Sequence, residues 1–235
     1  MLKKSLLFMM LFALFGVARA QVTIGDLGEA VGNSYLPMNS LYNYSYTQQI
    51  YAADEIGMAG TINSITLWIY GNANLYEMPF DIYMVETDKD AFASTTDWET
   101  VTASDIVYSG TIQATHTDTL AYTFTLDVPF AYSGASNLLI AFNNTTGQWK
   151  GGFYGMVFGK EGDAVRSIYA RQDSGAYDPY TPTFTANATT YLRDVIELDI
   201  TSSGNLVHIG TQGHHTHHLV IRLVGVGEER EEGSS

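Results

Sequence analysis

The chain has 235 residues, of which 46% are apolar, 13% aromatic and only 15% charged, and it contains no Cys. This composition excludes a disordered chain, which is poor in aromatics and rich in charge, and a coiled coil, which leans on Ala, Glu, Lys, Leu and Arg. Disulfides, thiol catalysis and cysteine metal sites are excluded as well. The net charge of −14 disfavours nucleic acid and anionic membrane surfaces as partners.

In chain order, Met1 to Ala20 reads as a secretory signal peptide. Lys3 and Lys4 form a positive start, Ser5 to Val17 an apolar stretch of 13 residues, and Ala18-Arg19-Ala20 a small-residue cleavage pattern. The apolar stretch is shorter than the roughly 18 residues a spanning helix needs. Gln21 would then be the first mature residue, and no membrane insertion is expected after cleavage. The signal holds three of the 11 basic residues and none of the 25 acidic ones, so 8 basic residues face 25 acidic ones afterwards, a net charge of −17.

Period-two alternation follows. Ile65, Leu67 and Ile69 share one face of a strand, with Thr66, Trp68 and Tyr70 on the other. Phe80, Ile82 and Met84 are opposed by Asp81, Tyr83 and Val85. Leu120, Tyr122, Phe124 and Leu126 alternate with Ala121, Thr123 and Thr125; Leu138, Ile140 and Phe142, then Ile196, Leu198 and Ile200, repeat the pattern. Such alternation describes strands with one face on a core. Turn-forming runs separate them at Gly71 to Asn74, Ser133 to Ser136 and Asn143 to Gly147. A short helical turn is expected at Asp88 to Phe92, with Asp88 as its N-cap. The expected fold is an all-β antiparallel β-sandwich, jelly-roll or fibronectin-like, as one domain over residues 21–201. Residues 202–235 form a His-rich tail, read as an added strand at Leu219 to Val226 and a mobile end.

The run Tyr44 to Tyr51 followed by Glu55-Ile56-Gly57 resembles the opening of a β-sandwich module found in secreted surface and adhesin proteins of Bacteroidetes-type bacteria, often beside fibronectin type III-like domains. Asp81 to Lys89, Asp97-Trp98, Val107 to Gly110, Pro129 to Tyr132 and Asn137 to Phe142 continue the likeness, which spans roughly residues 22–147. The resemblance implies export and a binding or adhesive role without a defined active site. Asp118-Thr119-Leu120 also resembles the short O-glycosylation motif of those bacteria.

Residues that could carry chemistry are few. His208, His214, His215, His217 and His218 could bind zinc through neutral imidazoles, since alternate residues of a strand share a face. The cluster lacks an HExxH motif, and a solvated His-rich loop is the favoured reading. Asp81, Glu86, Asp88, Asp90 and Asp97 could offer oxygens to calcium, although their spacing is not that of an EF-hand loop; capping and solubility are the favoured roles. No nucleophile elbow, Walker loop or Rossmann fingerprint occurs. Aromatic side chains on loops remain: Trp149, Phe153 and Tyr154, with Tyr177 and Tyr180 around Asp178. A flat apolar ring beside polar groups is how sugars are held.

These features lead to a secreted or outer-surface, non-catalytic binding or adhesion module, needing no cofactor and recognising a glycan or surface protein through its loops. A structural spacer or assembly subunit, and a metal-dependent hydrolase built on the His cluster, are the competing readings.

Overall fold

In the computed structural model, which describes residues 18–70, 77–112, 118–150 and 156–202, thirteen strands pair throughout as antiparallel neighbours. One sheet contains β1 (Ala18–Ile24), β2 (Val31–Asn33), β4 (Gly60–Tyr70), β7 (Thr119–Tyr132), β9 (Met156–Glu161), β12 (Leu192–Asp194) and β13 (Ile196–Ser202). The other runs in the order β11 (Ala188–Thr190), β10 (Ser167–Gln172), β3 (Tyr44–Tyr51), β8 (Asn137–Asn144), β5 (Met78–Thr87), β6 (Ile106–Ile112). The fold is an all-β sandwich.

The alternating residues meet between the sheets. Ile65, Leu67 and Ile69 of β4 and Ile196, Leu198 and Ile200 of β13 pack on Phe80, Ile82 and Met84 of β5 and Leu138, Ile140 and Phe142 of β8. Ile62 joins them although it stands three residues before Ile65. The pairing of β4 with β13 slips there, leaving Asn63 as the extra residue, and this bulge returns Ile62 to the inner face. The Asn63 amide donates to the Thr201 hydroxyl at 2.8 Å and fixes the kink. At the start of β4 only glycine fits, because a Cβ on Gly60 would lie 2.5 Å from the Thr201 carbonyl oxygen.

The second sheet departs from the sequence reading. β3 and β8 are buried on both faces, which gives continuous buried runs rather than alternation. Tyr46, Ile50, Tyr83, Leu139, Ala141 and Ile168 point away from the main core into a second one. Its roof is two irregular segments that supply Phe92, Trp98 and Val101, and Tyr177, Phe184 and Ala186. The Trp98 ring lies 5.2 Å from Tyr46 and 5.0 Å from Phe184, and its indole N–H donates to the Phe184 carbonyl at 3.0 Å. Gln48 of β3 clamps the roof twice, donating to the Glu99 carbonyl at 2.7 Å and accepting from the Glu99 N–H at 2.8 Å.

One further expectation needs correction. No helical turn forms at Asp88 to Phe92. The Lys89 carbonyl accepts from the Asn137 amide at 3.0 Å, and the Phe92 N–H donates to the Val165 carbonyl at 2.8 Å, so tertiary partners hold the groups a helix would pair. The α-helix among the described residues, α1 (Ala53–Ile56), follows β3 and closes on Gly57 in the left-handed region at φ 70°. The first strand begins at Ala18, inside the segment assigned to the signal peptide. A cut after Ala20 would leave Gln21 to Ile24 paired with Asp199 to Ile196.

Candidate binding surfaces

The β8–β9 connection presents Trp149. After β8, the Asn144 side chain accepts the Thr146 N–H at 3.0 Å, turning the chain. Gly147 takes φ 66°, and its N–H donates to the Asn43 carbonyl at 2.9 Å. The Lys150 N–H donates to the Ser40 carbonyl at 3.2 Å. The backbone is therefore pinned on both sides of Trp149, whose side chain is 62% exposed. Nearby, Asn43 bonds to Asp173 through both its N–H and its side-chain amide, and the Arg171 guanidinium covers the Tyr42 ring at 4.9 Å. Phe153 and Tyr154 lie outside the described residues.

Tyr177 and Tyr180 part company. Tyr177 is buried, its ring 4.6 Å from Phe184, and burial pushes its hydroxyl up to about 12. Its position is that of a packing residue in the second core rather than a contact for a ligand. Tyr180 is 41% exposed and meets the edge of Tyr83 at 6.3 Å. Asp178 shapes its turn, accepting the Tyr180 N–H at 2.9 Å and the Thr181 hydroxyl at 2.6 Å. These bonds hold the Asp178 carboxyl below its ordinary value.

His208, His214, His215, His217 and His218 all lie outside the described residues. Among the described residues no three His, Asp or Glu side chains gather in a metal-binding arrangement. The carboxylates close in sequence go separate ways. Asp81 accepts from the Ser109 hydroxyl at 2.6 Å, Glu86 from Ser133, Asp90 from the Asn137 amide at 3.0 Å and Asp97 from Lys89 at 2.8 Å. Each fastens a neighbouring turn or strand.

A buried polar network escapes any reading of motifs. Asp194 of β12, 2% exposed, accepts from the Gln49 amide at 2.5 Å and from the Asn33 amide at 3.4 Å, while its N–H donates to Gln49 Oε1 at 2.8 Å. Gln49 belongs to the second sheet and Asp194 to the first, so the pair ties the two layers. Burial pushes the Asp194 carboxyl up to about 7, against the lowering effect of Gln49, Asn33 and Arg193. Raised carboxyls often mark catalytic sites. Here both oxygens already hold donors inside the sandwich, an arrangement that fastens layers. Next to it, Arg193 stacks on Tyr51 with 4.7 Å between guanidinium and ring and grips Glu55 at 2.6 and 2.7 Å. Burial opposes ionisation of Glu55, but Arg193, the Ala52 N–H and Arg166 together hold its carboxyl below the ordinary value.

The outward side chains of the first sheet form another surface. Arg19, Gln21 and Thr23 of β1 and Ala121, Thr123 and Thr125 of β7 are exposed, and Glu197 and Asp199 of β13 are half-buried. Thr119 and Leu120, of the glycosylation-like triplet, are exposed at the start of β7. No protein-family profile, curated protein or solved structure matches this chain.

Proposed function

We propose that the protein is exported with residues 1–20 removed and acts as a non-catalytic binding module, recognising a glycan or surface protein through loops on a rigid sandwich. The observation that carries this reading is Trp149, a large ring 62% exposed on a backbone hydrogen-bonded on both sides. A backbone already fixed leaves less loop to order when a ligand arrives, and aromatic anchors supply much of the energy of recognition. Exposed Tyr180 and the Tyr42–Arg171 stack add contact groups on other loops.

The assembly reading requires an edge strand open to another chain. β7 is the long edge, but Pro129 and a break in its register with β4 interrupt it. β1 keeps an unbroken register with β13 and is the edge on which that reading would rest.

The test is a binding screen of the purified protein and Trp149→Ala against glycans and matrix proteins. Binding to one ligand, weakened tenfold or more in the variant with an unchanged melting temperature, supports the reading. Failure of both proteins to bind anything, with a concentration-dependent dimer in size-exclusion chromatography, shifts it to assembly.

A further inference from the structure

We propose that the outer face of the seven-stranded sheet is a second binding surface, which takes a neutral oligosaccharide chain in a groove floored by Thr66, Thr123 and Glu197. The groove measures about 450 Å³, within the size range of small-molecule sites. It does not depend on the loop that carries Trp149.

The chemistry of the lining selects the ligand class. The hydroxyls of buried Thr66 and exposed Thr123 hydrogen-bond to each other at 2.8 Å across β4 and β7, leaving further donor and acceptor capacity on the exposed Thr123. Each can donate and accept, as can the side-chain amide of Gln21, and Glu197 and Asp199 add strong acceptors. Donors and acceptors mixed at this density match a ligand whose own groups do both, and sugar hydroxyls have that property. The outward row of β4 then changes character: after Thr66 come Trp68, half-buried, and Tyr70, 43% exposed. Trp68 stands opposite Ala121 of β7, which carries only a methyl group. A polar floor running into aromatic rings along one strand gives hydrogen bonds at one end and an apolar platform at the other.

Charge and composition narrow the class further. Two carboxylates in the groove, on a chain of net charge −14, repel anionic polymers. A protein partner would meet charged groups at the centre of the contact, where protein interfaces are depleted of them. Among the described residues no three His, Asp or Glu side chains gather as metal ligands, and Glu197 accepts from the Thr23 hydroxyl at 3.3 Å. Signal cleavage after Ala20 would remove Arg19 and Ala20 from the rim of the groove and leave Asp199 without its ion pair, while Gln21, Thr66, Thr123 and Glu197 remain.

The experiment is native electrophoresis of the purified protein through gels containing soluble hydroxyethylcellulose, arabinoxylan or galactomannan, with polygalacturonate as the anionic control. Mobility is normalised to a gel without polysaccharide. At least one neutral polymer should retard the protein and polygalacturonate should not. Thr123→Lys, at an exposed position, and Trp68→Ala should each weaken the retardation tenfold or more, and Trp149→Ala should leave it unchanged. Three results overturn the proposal: no neutral polymer retards the protein, Thr123→Lys is retarded like wild type, or Trp149→Ala alone abolishes retardation. The last of these supports the loop reading while removing this one, so the two proposals fail separately.

Discussion

The outer faces of the two sheets make opposite use of similar strands. Behind the second sheet, Tyr46, Tyr83 and Leu139 meet Phe92, Trp98 and Phe184, and two long irregular segments seal the contact. Outside the first sheet, exposed Thr123 and half-buried Glu197 face an open groove over the buried Thr66. Side chain identity explains the difference. Outward rings and aliphatic groups on β3, β5, β8 and β10 gain free energy only if something covers them, roughly 25 cal/mol for each Å² removed from water. Outward Gln21, Thr123 and Glu197 on β1, β7 and β13 keep access to water and gain little from a cover. The roofed face therefore contributes stability, and the open face is available for contact.

Substitutions can break or sharpen this contrast. The largest effect is expected from Trp98→Ala, which removes the ring between Tyr46 and Phe184 and leaves the roof without its anchor. A loss of about 3–5 kcal/mol is typical for such truncations, and urea unfolding measures it. A loss under about 1 kcal/mol would mean that the roof does not form a core. Next comes Asp194→Asn. Its new NH₂ must face the amide N–H of either Gln49 or Asn33, so a donor meets a donor inside the sandwich. The expected cost is about 1–3 kcal/mol at pH 7, with no effect on retardation by neutral polysaccharide.

The same carboxyl sets a pH dependence. Its folded pKa is raised from 3.8 to about 7, so between these values the native state keeps a proton that the unfolded chain has released. Stability should therefore fall as pH rises from about 4 to 7 and level off above. Glu55 works in the opposite sense. Its folded value is lowered, so its contribution is present above pH 4.5 and is lost as pH falls below it. Thermal unfolding from pH 3 to 9 should show a maximum near the boundary between these effects, and Asp194→Asn should flatten the upper limb. The smallest effect belongs to the open face. Thr66→Val with Thr123→Val replaces a hydroxyl pair by an apolar pair of the same shape and should alter stability by less than about 0.5 kcal/mol.

Part of this contrast could be read in the sequence. The inner faces of β4, β5, β8 and β13 followed from alternation, and so did the outward placement of Thr66, Trp68 and Tyr70. Trp149 is exposed on its loop, whereas Tyr177, which looked equivalent, lies against Phe184. Local sequence around Tyr177 resembles that around Tyr180, and only the packing of Phe184 against Tyr177 separates a buried ring from one that stays partly exposed. The Asp194 network was hidden for the same reason, since Asn33, Gln49 and Asp194 are brought together from three separate strands.

The sequence by itself determined the strand class, the inner faces and the absence of crosslinks, because polarity at every second residue is a local property that any sheet must obey. Tertiary structure alone decided that the second sheet is buried twice, that Asp194 fastens one layer to the other, and that a polar groove stays open on the first. Those outcomes depend on which distant segments come to lie over each strand, and periodicity within a strand carries no information about its cover.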